Sequence, residues 1–338
     1  MIFNTRRLKQ INLDLVRSAL KSEEYSTKNS LAGATGLSVA SCKNILDELL
    51  QSTEVREIEL ASSTGGRPSR RFVYNENYAF VLLMYLRVEG SVQTIYSSLV
   101  NMLGEQIYES FEDYEQISLK EIDQTLSELI DKYPRIQVLS IGIPGIVNNG
   151  TVDSCDIKTL NNIHLIEHLS EKFDRSISVE NDVNCTALGY YQRLEKENPE
   201  SLVYIYYPRD GLSGAGIIVN GRVLKGRSNF AGEVSYMPVW VEREEQGRVQ
   251  KNTKIFSELV ADIILSINCL LNPDCIVLSG QWFTEDLKRA ISDSVMKASQ
   301  PGHSPMITFE PDIHFSYIDG LKYSGMHKLS CGFEIVEN

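Results

Sequence analysis

The chain has 338 residues, of which 42% are hydrophobic and 23% charged, with a net charge of −12. That length predicts two or three domains, and the ordinary composition predicts a globular protein. No apolar run reaches membrane-spanning length, the polar start "MIFNTRRLKQINLDLV" lacks the apolar core of a secretion signal, and the acidic balance argues against non-specific nucleic-acid binding by the whole chain. A cytoplasmic protein without a membrane partner is expected. The charge is uneven: residues 1–74 hold 11 Lys/Arg against 8 Asp/Glu, and the remainder holds 22 against 37. A basic head on an acidic body reads as one segment specialised for an anionic partner.

In the head, Leu8, Ile11, Leu15, Val16 and Leu20 recur at helical spacing and predict a first helix. A second, shorter helix follows in "STKNSLAGATG", capped by Ser26 or Thr27 and closed near Gly33 or Gly36. "LSVASCKNILDELLQS" predicts a third helix with Ser38 as N-cap and Val39, Cys42, Ile45, Leu46, Leu49 and Leu50 as its apolar stripe. Two helices joined through "TGLS" form a helix-turn-helix pattern, whose second helix can enter a DNA major groove. The residues off the stripe at its front are Ser38, Ala40, Ser41, Lys43 and Asn44, small or hydrogen-bonding groups suited to base edges and phosphates. A small helical bundle with a solvated face has the same pattern. The next stretch, "VREIELASSTGGRPSRRFVYN", decides for DNA: it alternates, turns at Gly65-Gly66 and alternates again. Arg67, Pro68, Arg70 and Arg71 at that tip suit a minor groove, and arginines there have little structural use. The head, residues 1–74, is predicted to be a winged helix-turn-helix.

From Tyr78 the texture changes. Strands are predicted around turns at Glu89-Gly90 and Leu103-Gly104, then a helix in "SLKEIDQTLSELIDKY" and a buried strand and turn in "IQVLSIGIPGIVNNGTV". A helix in "HLIEHLSEKF", a strand in "SISVEND", and strands around the glycine-rich "PRDGLSGAGII" follow. "FSELVADIILSINCLLNPDCIVLSGQW" supplies a long helix, a strand and a glycine turn. Helices alternating with short apolar strands indicate an α/β body. The six scattered cysteines read as buried small hydrophobes, and His164 with His168 as a surface pair, so no metal site is expected.

The blocks "IGIPGIVNNGTV", "VENDVNCTALGYY", "SGAGIIVNGRVLKGRSNFAGEVSYMPV" and "NPDCIVLSG" resemble, in order, signature blocks of the ROK family of sugar-responsive repressors and sugar kinases. The head with "TGLS" and "GGRPSRR" resembles the N-acetylglucosamine- and xylose-type repressor branch. The resemblance implies a two-lobed, actin-like (ribonuclease H-like) body over residues 75–338. One lobe would span 75–185 plus the C-terminal helix and the other 186–318, with a sugar in the cleft. It also implies that Asn181, Asp182 and Glu233 hold sugar hydroxyls beside Gly145, and that Asp182 stands where the kinase branch keeps its base. Asp182 as a helix cap remains open.

Phosphoryl transfer requires further parts. The kinase branch opens with an Asp-x-Gly-Gly-Thr loop; here the region is "MYLRVEGSVQTIY", with Glu89-Gly90-Ser91 the nearest approach. The family's zinc histidine is Tyr236, and the cysteine-bearing segment that should follow is "WVEREEQGRVQKNTK". Only Glu242, Glu244 and Glu245 are candidates for the second sugar-binding glutamate. The expectation is a regulator, most simply a repressor, with no catalytic residues, no metal and no cofactor. Its expected partners are a double-stranded DNA operator and a small sugar or sugar-phosphate effector, and it should form a homo-oligomer, dimer or tetramer. A sugar kinase with a divergent ATP loop, or a regulator with a vestigial sugar site, is the alternative.

Overall fold

The computed structural model describes residues 5–58, 70–194, 199–209 and 211–330. They form two compact units, one of residues 1–80 with 100–106 and the other of 81–99 with 107–338.

Local caps set the helices of the first unit. α1 (Thr5–Lys21) turns Leu13, Val16 and Leu20 inward. α2 (Lys28–Thr35) starts at Thr27, whose Oγ1 accepts from the Ser30 amide while the Thr27 amide donates back to Ser30 Oγ. It ends at Gly36, whose φ of 71° is a left-handed conformation that glycine adopts without a Cβ clash. α3 (Val39–Gln51) begins at Ser38, whose Oγ accepts from the Ser41 amide at 3.1 Å. Cys42, Ile45, Leu46 and Leu49 form its buried stripe. β1 (Val55–Ile58) and β2 (Arg71–Tyr74) pair antiparallel, with Val55 opposite Tyr74 and Ile58 opposite Arg71.

The apolar periods overstate the core here. Leu8, Ile11 and Leu15 are 45%, 44% and 43% exposed, because α1 packs its Leu13, Val16 and Leu20 face against its neighbours. Val39, at the first turn of α3, is also exposed, ahead of the point where the helix meets its partners. The predicted turn at Gly65-Gly66, with Arg67 and Pro68, lies outside the described residues.

The second unit holds two five-stranded sheets. In the first, β3 (Phe80–Glu89), β4 (Val92–Val100) and β5 (Gln106–Tyr114) follow each other through short turns. α4 (Leu119–Lys132), with Ser118 and Glu121 as a capping box, leads to β6 (Ile136–Ile143). A small antiparallel ribbon, β7 (Gly145–Asn148) and β8 (Thr151–Cys155), and α5 (Leu165–Lys172) lead to β9 (Ser176–Asn181). The order is β5-β4-β3-β6-β9, with β6 and β9 parallel and Ile143 opposite Asn181. α6 (Asp182–Arg193) starts where β9 stops.

The second sheet begins with the antiparallel run of β10 (Ser201–Tyr206), β11 (Gly214–Val219) and β12 (Arg222–Val223). After α7 (Arg243–Val249) and α8 (Thr253–Leu271), β13 (Cys275–Ser279) returns parallel to β10. After α9 (Glu285–Ala298), β14 (Met306–Glu310) returns parallel to β13. Parallel returns need such crossover helices because a short turn cannot bring the chain back to the same end. α8 supplies Phe256, Leu259, Val260, Ile263, Ile264 and Ile267 to the core of this lobe. α10 (His314–Ser330) goes back to pack on α6 and β6. That contact is close enough that a Cβ on Gly189 would lie 1.9 Å from the Ser316 carbonyl oxygen.

No helix among the described residues is long and apolar enough to cross a membrane. Cys42, Cys155, Cys185 and Cys275 are buried as expected, but Cys269 is exposed near the end of α8. His164 Nδ1 meets Thr151 Oγ1, and His168 pairs with Asp123. Among the described residues no group of three or more His, Cys, Asp or Glu is arranged to hold a metal ion.

Candidate functional site

The carboxyl ends of parallel strands leave backbone groups and a crevice at a sheet edge, which is where α/β folds collect ligands. Here β6 ends before Pro144, β9 ends at Asn181 and β10 ends at Tyr206, and all three of those residues line one cavity of about 320 Å³. Gly145, Asp156, Asp182, Glu233 and Arg243 line it too. Two ties join its walls: Asn229 Nδ2 donates to the Val147 carbonyl at 2.6 Å, and Lys225 pairs with Glu180.

Asn181 and Asp182 have different duties. Asn181 is the N-cap of α6: its Oδ1 accepts from the Asn184 amide at 2.9 Å, and its Nδ2 donates to the Gly145 carbonyl and to Asp182 Oδ1. The cap that the sequence left open therefore falls on Asn181. Asp182 begins the helix, and its Oδ1 also accepts from the Val183 amide at 2.8 Å. Burial, with Asp156 and Glu233 as neighbours, pushes its carboxyl up to about 7. Glu233 and Asp156 are also shifted upward, in both cases chiefly by burial, although Asp156 remains an exposed residue. Gly145 is required by packing, since a Cβ there would lie 2.3 Å from the Ser154 carbonyl oxygen.

Through "MYLRVEGSVQTIY", β3 runs unbroken to Glu89, and Gly90, at φ 61°, turns the chain directly into β4. Glu89 pairs with Arg87, whose side chain lines the cleft. In the second loop, Gly216 is held by packing: a Cβ would meet Ala187 Cβ and the Val183 carbonyl at 2.5 Å. Tyr236 stands at the cleft with its ring under the Arg243 guanidinium at 3.9 Å. Glu242, Glu244 and Glu245 do not line the cavity; Arg243, between them, does, because the first turn of α7 points that position inward. Asp156 and Arg243 were missed by sequence reasoning. Asp156 belongs to no motif block, and Arg243 was hidden in a segment judged only by its lack of cysteine.

In the head, Ser38, Ala40, Lys43 and Asn44 are exposed at the front of α3, while Ser41 is partly covered and hydrogen-bonded to Ser38. Two of the ribbon arginines have structural partners: Arg70 pairs with Glu57 at 3.1 Å, and Arg71 stacks on Tyr25 at 3.8 Å; Arg67 lies outside the described residues.

Residues 91–248 match the model of the ROK family. The chain is 27% identical over 249 residues to the xylose repressor of Caldicellulosiruptor bescii, an alignment that covers 70% of this chain. The chain spans 60% of the length of the curated repressors it matches. Among solved structures, a ROK-family transcriptional regulator described as a homologue of the E. coli MLC protein superposes with a TM-score of 0.68 at 18% identity. It covers 96% of this chain and 98% of its own. A ROK hexokinase from Thermus thermophilus superposes with a TM-score of 0.59 at 16% identity, over 75% of this chain and all of its own. The fold is therefore that of ROK regulators over nearly the whole chain and of ROK kinases over three quarters of it, mixed α/β with two five-stranded sheets.

Proposed function

We propose that this chain is a sugar-responsive, DNA-binding transcriptional regulator, most simply a repressor, built on a ROK body without catalysis. The observation that carries the reading is the imbalance of the cleft. Its sugar side keeps Asn181, Asp182 and Glu233 around one cavity, whereas its phosphate side is a tight turn at Gly90 with the Arg87 side chain beside it. A polyphosphate needs several backbone amides converging on it from a longer loop, and the two-residue link between β3 and β4 is too short to wrap one. The head, residues 1–74, would act as a winged helix-turn-helix, presenting Ser38, Ala40, Ser41, Lys43 and Asn44 to the major groove and Arg67, Pro68, Arg70 and Arg71 to the minor groove or its phosphates. The body is residues 75–338. A dimer or higher homo-oligomer is part of the reading, because paired heads meet operator half-sites one helical turn apart.

The ligand acts by shifting a population: a sugar that binds one lobe arrangement more tightly changes DNA affinity by the same factor. Calorimetric titration with a panel of sugars, alongside operator binding with and without them, tests this. Heat from at least one sugar, with a matching change in operator affinity, is expected; no heat from any of them with intact DNA binding overturns it. The kinase reading is favoured by one feature, the raised carboxyl of Asp182 at the base position. A coupled ATP-consumption assay over the same sugars separates the two, and turnover abolished by Asp182→Asn would establish the kinase.

A further inference from the structure

We infer that the cleft selects its ligand by charge, accepting a monosaccharide without an anionic substituent, with Asp156 as the additional residue that enforces the choice. This rests on the sugar-binding reading above and narrows it.

The charges facing the cavity are Asp156, Glu180, Asp182, Glu233, Arg87 and Arg243. Glu180 is paired with Lys225 and Arg87 with Glu89. Asp156, Asp182 and Glu233 then face Arg243 on the cavity wall, while Lys158, outside it, also eases Asp156, and Arg87 keeps an unpartnered Nε. Arg243 is itself committed: it lies on the Tyr236 ring, its Nε donates to Ser235 Oγ at 3.4 Å, and it draws on both Glu233 and Asp156. Asp182, the most buried of the three, feels both other carboxyls. A phosphate or carboxylate on the ligand would enter a field already negative, where each like charge a few ångströms away is repulsive. Nor can the start of α6 receive an anion, because the Val183 and Asn184 amides are already bonded to Asp182 and Asn181.

Two further side chains point to neutral hydrogen-bonding groups on the ligand. Asn184 is 6% exposed and Tyr317 is 2% exposed; both line the cavity, and Asn184 Oδ1 and the Tyr317 hydroxyl have no hydrogen-bond partner among the described residues. Orphaned neutral acceptors and donors are satisfied by hydroxyls at little electrostatic cost. Of the three carboxyl residues lining the cavity, Asp156 is the exposed one, whereas Asp182 and Glu233 are partly covered.

The test is calorimetry on the full chain at neutral pH with glucose, mannose, xylose and N-acetylglucosamine, then with glucosamine, glucuronate and the 6-phosphates of the hexoses. The expected result is that an unphosphorylated sugar binds, that its phosphorylated or uronate form binds at least about tenfold more weakly, and that an amino form binds no more weakly than its parent. Asp156→Asn should narrow that gap several-fold while the neutral sugar keeps its affinity; a merely structural role would move both ligands together. Arg243→Gln should widen it. Equal or tighter binding of a phosphorylated sugar, or a gap unchanged in both variants, overturns the charge filter and leaves sugar sensing in place. Absence of heat from every sugar overturns the sugar reading and this inference with it.

Discussion

The head and the cleft enclose carboxylates in opposite ways. In the head, Glu54 is 3% exposed and fully answered: Arg17 grips it with Nε at 2.7 Å and its terminal nitrogen at 2.8 Å, and the Tyr74 hydroxyl donates at 3.3 Å. That cluster ties α1 to the end of α3 and to β2, and it leaves no charge to offer. In the cleft, Asp156, Asp182 and Glu233 face Arg243 on the cavity wall, with Lys158 easing Asp156 from outside it, so three carboxyls draw on two cations. A buried charge with its partner in place is part of the scaffold, whereas surplus charge held in a crevice marks a place where something else completes the chemistry.

The largest expected effect breaks the head side of this comparison. Arg17→Ala strands a buried carboxylate and should destabilise the head by roughly 2–3 kcal/mol, less than a fully buried pair because Arg17 is partly exposed. Hydrogen exchange at the amides of α1, α2 and α3 reads this. The double variant Arg17→Met with Glu54→Leu should recover most of the loss, and failure to recover would mean that packing, not charge, holds the cluster.

The cleft should respond with the opposite sign. The Asp182 carboxyl ordinarily titrates near 3.8 and is held up to about 7. Between those values the folded chain binds a proton that the unfolded chain has lost, so stability falls as pH rises through the window and stays reduced above it. The full shift corresponds to about 4 kcal/mol, and partial access to solvent lowers the expected cost to about 1–2 kcal/mol. Asp182→Asn should therefore stabilise the body above pH 7 by about that amount and change nothing below about pH 4. Both tryptophans, Trp240 and Trp282, lie in the second unit, so urea unfolding followed by their fluorescence measures it directly. Unchanged stability across the range would remove the strain from Asp182.

Smaller effects sharpen the head. Ser38→Ala removes the α3 cap and should cost about 1 kcal/mol, visible as faster exchange in the first turn of α3. Arg67→Ala should weaken operator binding and lower the slope of log affinity against log salt by about one, with little change in stability. An unchanged slope would take the ribbon tip out of the DNA interface.

The order of helices and strands was legible because each depends on neighbours three or four residues away, or two along a strand. "SLKEIDQTLSELIDKY" carries both its cap and its period, and α4 starts after Ser118 as those features require. The ROK blocks likewise place Asn181, Asp182, Glu233 and Gly145 around one cavity. Other features had no local signal. Leu8, Ile11 and Leu15 share a helical period with Val16 and Leu20, yet only packing decided which face was covered.

By itself, then, the sequence determined the α/β body and the capped helical head, since propensity, period and capping are properties of short stretches. Tertiary structure alone decided that Asn181 rather than Asp182 caps α6, that Arg243 and not its flanking glutamates enters the cleft, and that Asp156 joins the other acids there. The physical reason is distance along the chain. Asp156, Asp182, Glu233 and Arg243 come from separate elements, so their shared field exists only once both sheets and α7 are assembled.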